Sequence, residues 1–407
     1  MVRVLNKVII LIIITSSLFT SISISPGHKT TICLNDANNV EQHLIKDVPF
    51  VNYNFSGARC PYISTTMICK YYGINTTVSE VVHHLGGGYS YSYQKVYPLR
   101  LWSGYMISGG PDDCRFLADL FGLEYEYWYT ISDSRSNQCW AQYWEKIKQN
   151  ITQDIPVITM TCFNDLNNIS SEYYIPDFMV VVGFNESNET ICCHIPYQGA
   201  FQYYSIDTVK NAIFQIHISE NIYRTVYHFL IFKNIIDQPL NKKECFQRAH
   251  ERNIQKMKGN KTVYDEEIFQ RYFGFRIFGI NALQSLKQDI TLFNILLYNA
   301  LPDIHFLSPW TSISAYWMIY EEKYEIAQYL KENYLFSPKI CLWDAQHLEL
   351  EAQLILHFIH LMFDLNQTLS NNTGIVTFLR SYPIIKDIRN TIDTMISVEK
   401  AIIKGSF

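Results

Sequence analysis

At 407 residues, with 33 basic against 38 acidic side chains, the chain carries a formal net charge of −5. That length allows two domains of ordinary size, each with its own core. The absence of a basic excess or a Lys/Arg cluster argues against a nucleic-acid partner. The 29 Tyr and 24 Phe exclude a disordered chain and suit a packed fold with phenol hydroxyls at polar boundaries.

At the N-terminus, Arg3 and Lys7 precede the apolar run Val8 to Ile14 and then the small residues Ser21 and Ser23. This is the pattern of a secretory signal peptide over residues 1–23, with an uncleaved anchor as the alternative. The apolar run is shorter than the roughly 20 residues of a spanning helix, and no later stretch is long and apolar enough to cross a bilayer. The mature protein is therefore expected in the lumen of the secretory pathway or outside the cell. Sequons headed by Asn54, Asn75, Asn150, Asn168, Asn185, Asn188, Asn260, Asn366 and Asn371 agree with that route. So do the ten cysteines (Cys33, Cys60, Cys69, Cys114, Cys139, Cys162, Cys192, Cys193, Cys245 and Cys341), which predict some disulfides without revealing their pairing. If Cys60 is a free thiol, a second must be unpaired, and Cys69 is the natural candidate. No cysteine spacing matches a zinc site, and no metal or other cofactor is expected.

In chain order, residues 24–48 read as an irregular lead-in and Val48 to Tyr53 as a strand. Cys60 then stands at the mouth of a helix with Ile63, Met67, Ile68 and Tyr71 on its inner face, stopped by Gly73. Unpaired N–H groups and the positive end of the dipole favour thiolate at such a position, which makes Cys60 a candidate nucleophile. A buried or disulfide-bonded cysteine is the alternative. Gly86 to Gly88 and Gly109-Gly110 lack the G-x-x-x-x-G-K-S/T pattern and read as tight backbone near a cleft, followed by a short helix over 114–121. Residues 140–150 predict a helix with Trp140, Trp144 and Ile147 on one face, and Val157 to Cys162 a strand. Phe178 to Phe184 and Thr190 to His194 predict a hairpin.

The run Cys60-Pro61-Tyr62-Ile63-Ser64-Thr65-Thr66-Met67-Ile68-Cys69-Lys70-Tyr71-Tyr72-Gly73 resembles the nucleophile helix of papain-like enzymes of the bacteriocin-leader-peptidase type. With the segment Ser79 to Tyr93, including Glu80, Gly86-Gly87-Gly88 and the following tyrosines, it is more similar to the N-terminal domain of the butirosin-biosynthesis acyltransferase family. Asp177 to Phe184 resembles the strand that in these enzymes opens with the catalytic histidine. The resemblance implies an α+β fold: a papain-like domain over about 45–236, with the Cys60 helix packed on an antiparallel sheet. Within it, Tyr203 to Phe214 would be a strand, turn and helix, and Val226 to Lys233 a last strand. It also implies a thiol acyltransferase or amide hydrolase that forms an acyl-enzyme on Cys60 from a small-molecule or peptide acyl substrate. Asn54 stands near the offset of the oxyanion-hole donor, although a glycan there would block that role.

One departure bears directly on the chemistry. Asp177 occupies the place of the histidine that would take the thiol proton and return it to the leaving group. A carboxylate there raises the thiol pKa. Three readings follow. His194, near the family's orienting Asp or Asn, exchanges roles with Asp177; or His83 or His84 supplies the imidazole; or the site is inactive and the domain serves as a ligand- or protein-binding module.

Ile235 to Asn241, with Pro239, reads as a linker. Beyond it, over 240–407, apolar residues recur at helical spacing at Ile290, Phe293 and Leu297, again from Tyr316 to Leu330, and again from Leu348 to Met362, predicting an all-helical C-terminal domain. Phe273-Gly274 through Asp289 loosely resembles the start of the helical region in the butirosin-type family. His347, His357 and His360, with no accompanying carboxylate motif, read as core or surface histidines and not as metal ligands.

Overall fold

The computed structural model describes residues 40–53, 60–89, 92–94, 111–132, 135–169, 176–196, 198–213, 215–219, 222–235, 238–259, 276–298, 309–371 and 374–405. The signal-peptide segment, Cys33, Asn54 and Asn260 lie outside them. The architecture is α+β, an antiparallel sheet with helices followed by an all-helical region.

The first strand, β1 (Gln42–Leu44), lies earlier than the strand expected over 48–53, which does not form. Val48 is buried there, and its carbonyl accepts from the His194 ring and not from a neighbouring strand. Helix α1 (Cys60–Tyr71) begins at the expected cysteine, and Gly73 follows it at φ 78°. Every side chain from Cys60 to Cys69 is buried, so α1 is a core helix enclosed on all sides. Helix α2 (Val78–Leu85) is capped by the Thr77 hydroxyl, which accepts the Glu80 N–H at 3.2 Å.

After the short β2 (Ser92–Gln94) come α3 (Pro111–Phe121), β3 (Leu123–Ser132), α4 (Asn137–Ile151), β4 (Val157–Cys162) and α5 (Phe163–Leu166). Strand β3 is absent from the sequence reading, although Glu124 and Glu126 alternate with Tyr125 and Tyr127 as a strand requires. It pairs with the far end of the domain in sequence, where no local signal reaches. The expected hairpin forms as β5 (Pro176–Asn185) and β6 (Thr190–Ile195), followed by β7 (Gly199–Ser205), α6 (Ile206–Asn211), β8 (Gln215–Ser219) and β9 (Ile222–Ile235). The main path of the sheet is β3-β9-β4-β5-β6-β7, with β1 added to β5 and β8 to β9.

Strand β9 runs to Ile235, and Asn241 already caps the next helix, α7 (Lys242–Met257), through a capping box with Glu244. The connection is therefore short. The remainder is β10 (Arg276–Phe278), α8 (Gly279–Tyr298), α9 (Pro309–Glu332), α10 (Pro338–Asn371) and α11 (Gly374–Gly405). Ile319, Ile355, Phe358, Ile388 and Ile392 form one apolar cluster of this region. Beside the sheet, Ile326 and Leu330 of α9 join the same core as Tyr62, Met67 and Val82. Among the described residues no helix is long and apolar enough to cross a membrane.

Candidate active site

Two elements carry the site. Helix α1 presents Cys60 at its first position, 2% exposed, and β5 presents Asp177, 6% exposed. The carboxyl of Asp177 acts electrostatically on the Cys60 thiol, and the backbone N–H of Phe178 donates to Asp177 Oδ1 at 2.9 Å. Burial, and then the charge of Asp177, push the Cys60 thiol well above its ordinary range. Burial also lifts Asp177 to about 6, against the opposing pull of the bonds from Cys60 and Phe178. Moving the proton from sulfur to carboxylate is therefore uphill. Above about pH 6 the pair rests as thiol and carboxylate, without a standing nucleophile.

His194 does not join them. Antiparallel pairing sets it opposite Val180, an odd number of residues from Asp177 along an unbulged stretch, so its ring lies on the other face of the sheet. Both ring nitrogens are committed to backbone: Nδ1 accepts from Phe201 N–H at 3.0 Å and Nε2 donates to the Val48 carbonyl at 3.1 Å. Burial lowers its pKa, so it is held as a neutral structural imidazole. The exchange of roles between His194 and Asp177 is thus contradicted by strand register.

His83 and His84 are likewise placed elsewhere. On α2, His83 stacks on Phe246 with ring centroids 4.9 Å apart and meets Tyr89 and Tyr329, while His84 lies edge-on to Phe121. Among the described residues, no imidazole hydrogen-bonds Cys60. Asn54, the oxyanion candidate, lies outside them. Of the other singled-out histidines, His347 bonds the Trp343 carbonyl, while His357 and His360 are exposed. No group of three or more potential ligands among the described residues could hold a metal.

Residues that sequence reading missed complete the surroundings. Thr161 is the direct cross-strand partner of Asp177 and so shares its face, and Ser64 lies one helical turn beyond Cys60. Both are fully buried and neither hydroxyl has a hydrogen-bond partner among the described residues. Ser64 was legible from helical spacing alone; Thr161 required the register of β4 against β5.

The disulfides expected of this chain do not form between any two of the nine described cysteines. Several of these thiols are satisfied otherwise: Cys193, Cys245 and Cys341 donate to the carbonyls of Gln202, Leu240 and Asn333. Cys69 is a buried thiol, as expected. Among the sequon residues, Asn75, Asn168 and Asn188 are exposed. The amides of Asn150 and Asn185 donate to Lys146 O and Gln42 Oε1 at 2.8 and 2.9 Å.

A cysteine opening a helix that packs on an antiparallel sheet is the arrangement of a papain-like fold of the cysteine-hydrolase type. Residues 45–225 match the Peptidase_C39 like family, which supports a papain-like cysteine-peptidase-type superfamily for this part of the chain. The narrower likeness to butirosin-biosynthesis acyltransferases is not carried by that match. A search of curated proteins found no match.

Proposed function

We propose that the chain uses a papain-like cysteine-hydrolase fold as a ligand- or protein-binding module, with its thiol centre held neutral. The observation that carries this reading is the burial of Cys60, at the start of a helix packed on β5, together with the buried carboxyl of Asp177 on that strand, where an imidazole would activate the sulfur. Alkylation of the intact protein with iodoacetamide across pH 5 to 10, followed by quantifying the Cys60 peptide, tests it. The expected rate stays low through neutrality and rises only in or above the ordinary thiol range. Rapid reaction near pH 5 overturns the reading.

A second reading is favoured by one specific property: an acid near 6 suits proton transfer at neutral pH. In it, Cys60 attacks an acyl carbon, Asp177 receives the thiol proton and passes it to the leaving group, and water later releases the acyl group. Incubation with activated acyl esters discriminates the two, because only this reading gives a stoichiometric acyl adduct that Cys60→Ser abolishes.

We also propose a secretory route, supported by the charged, apolar and small-residue order of residues 1–23 and by the nine sequons. Expression in a eukaryotic secretory host with and without peptide N-glycosidase tests it through a mobility shift.

A further inference from the structure

The helical half of the chain holds the thiol helix from behind. Glu322 of α9, 2% exposed, accepts from the Tyr62 hydroxyl at 2.7 Å through Oε1 and from the Gly88 N–H at 2.9 Å through Oε2. Its neighbour Lys323 donates to the Gly88 carbonyl at 2.7 Å, so the backbone N–H and C=O of one residue are held by consecutive residues of α9. One turn on, Glu325 accepts from the hydroxyls of Tyr53 and Ser79. Tyr53 and Tyr62 bracket Cys60 in the sequence, and Glu322 and Glu325 share a face of α9 by their spacing. The chain is thus pinned to α9 before and just after the thiol, by hydrogen bonds to ionisable carboxyl groups, which are among the stronger kinds.

We propose that Glu322 is a positioning residue for Cys60: through Tyr62 and Gly88 it presses the first turn of α1 toward β5 and so sets where the thiol sits against Asp177. The inference rests on the reading of Cys60 as a thiol held neutral by that contact. Helix α1 packs on β5 and is tied to α9 through the Tyr62–Glu322 bond, so releasing Tyr62 permits the first turn to withdraw from β5. Withdrawal relieves the burial of the sulfur and its proximity to the carboxylate, and both changes ease ionisation.

The test compares the pH profile of Cys60 alkylation by iodoacetamide in the full chain for wild type, Glu322→Ala, Glu322→Gln and Tyr62→Phe, with thermal melts to establish folding. Glu322→Ala and Tyr62→Phe are expected to shift the profile down by about one pH unit and raise the rate at pH 8 about tenfold. Glu322→Gln keeps an acceptor oxygen for Tyr62 and is expected to stay within about twofold of wild type. A structural role alone would lower the melting temperature without moving the profile of the folded protein. Should Glu322→Ala fail to fold, Tyr62→Phe decides, since it removes one hydroxyl. A folded Tyr62→Phe or Glu322→Ala with an unshifted profile overturns the proposal. A wild type that already reacts rapidly near pH 5 instead overturns the neutral-thiol reading, and the difference between variants and wild type still decides the role of Glu322.

Discussion

Tyr62 donates its hydroxyl to Glu322 at 2.7 Å across 260 residues of chain, with both side chains buried. The bond joins the first turn of the thiol helix to the helical half of the protein. It continues through Lys323, which pairs with Glu351 at 2.9 Å and lies 3.6 Å from Glu399.

The first prediction concerns Asp177. Asp177→His places an imidazole beside the thiol, which can take the proton and pair with the thiolate, so alkylation of Cys60 is expected to move to lower pH. Asp177→Asn removes only the charge, and burial, the larger cause, keeps the thiol above its ordinary range. The two profiles should therefore separate, with His lowest and Asn between it and wild type. Coincident profiles for all three proteins would show that Asp177 does not control the thiol.

A second prediction addresses the buried ionic cluster. Lys323, Glu351 and Glu399 are each 0% exposed, and Glu399 is pushed well above the carboxylate range by burial and by Glu351 beside it. Lys323→Met removes the buried cation paired with Glu351 and is expected to cost about 3–5 kcal/mol in urea unfolding. Glu399→Gln mimics the neutral acid and should fall within about 1 kcal/mol of wild type. A large loss in the Gln variant would mean that Glu399 is charged in the fold.

The glycine run supplies a third. Gly88 has φ +73°, and a Cβ there would lie 3.0 Å from the Glu322 carbonyl oxygen. Backbone against backbone has little room to give, so Gly88→Ala is expected to destabilise the fold by about 1–3 kcal/mol or more, read by urea unfolding. An unchanged midpoint and slope would show that the close approach of α9 to this peptide is not maintained.

Acid sensitivity follows from the buried histidines. Burial lowers His84 to about 3 and His228 and His250 to about 4, so the unfolded chain takes up protons near 6.5 while the folded chain does not. Their contribution is complete above pH 6.5 and is lost as pH falls, by up to about 3 kcal/mol per group at pH 4. Asp177 acts oppositely. Its folded value near 6 lies above the unfolded one, so its contribution is present below pH 3.8 and is lost as pH rises through 6. Three imidazoles outweigh one carboxyl, and melting temperature should fall between pH 6.5 and 4, more steeply in Asp177→Asn. A melting temperature flat across that window would contradict the burial of these rings.

Local pattern alone identified the helix that begins at Cys60, the hairpin with Asp177 on its first strand, and the helical texture after about residue 240. Each depends on side-chain period and turn residues within a few positions, which the sequence states directly. That Asp177 stands in the histidine's place is what the resemblance implies. What the tertiary structure decided was which groups meet. Strand register turned the His194 ring away from Asp177 and brought Thr161 to it. The pairing of β3 with β9, and the grip of Glu322 on Tyr62 and Gly88, join segments more than ninety residues apart. No local rule encodes such meetings, because they arise when separate apolar faces are buried together and their remaining polar groups must find partners.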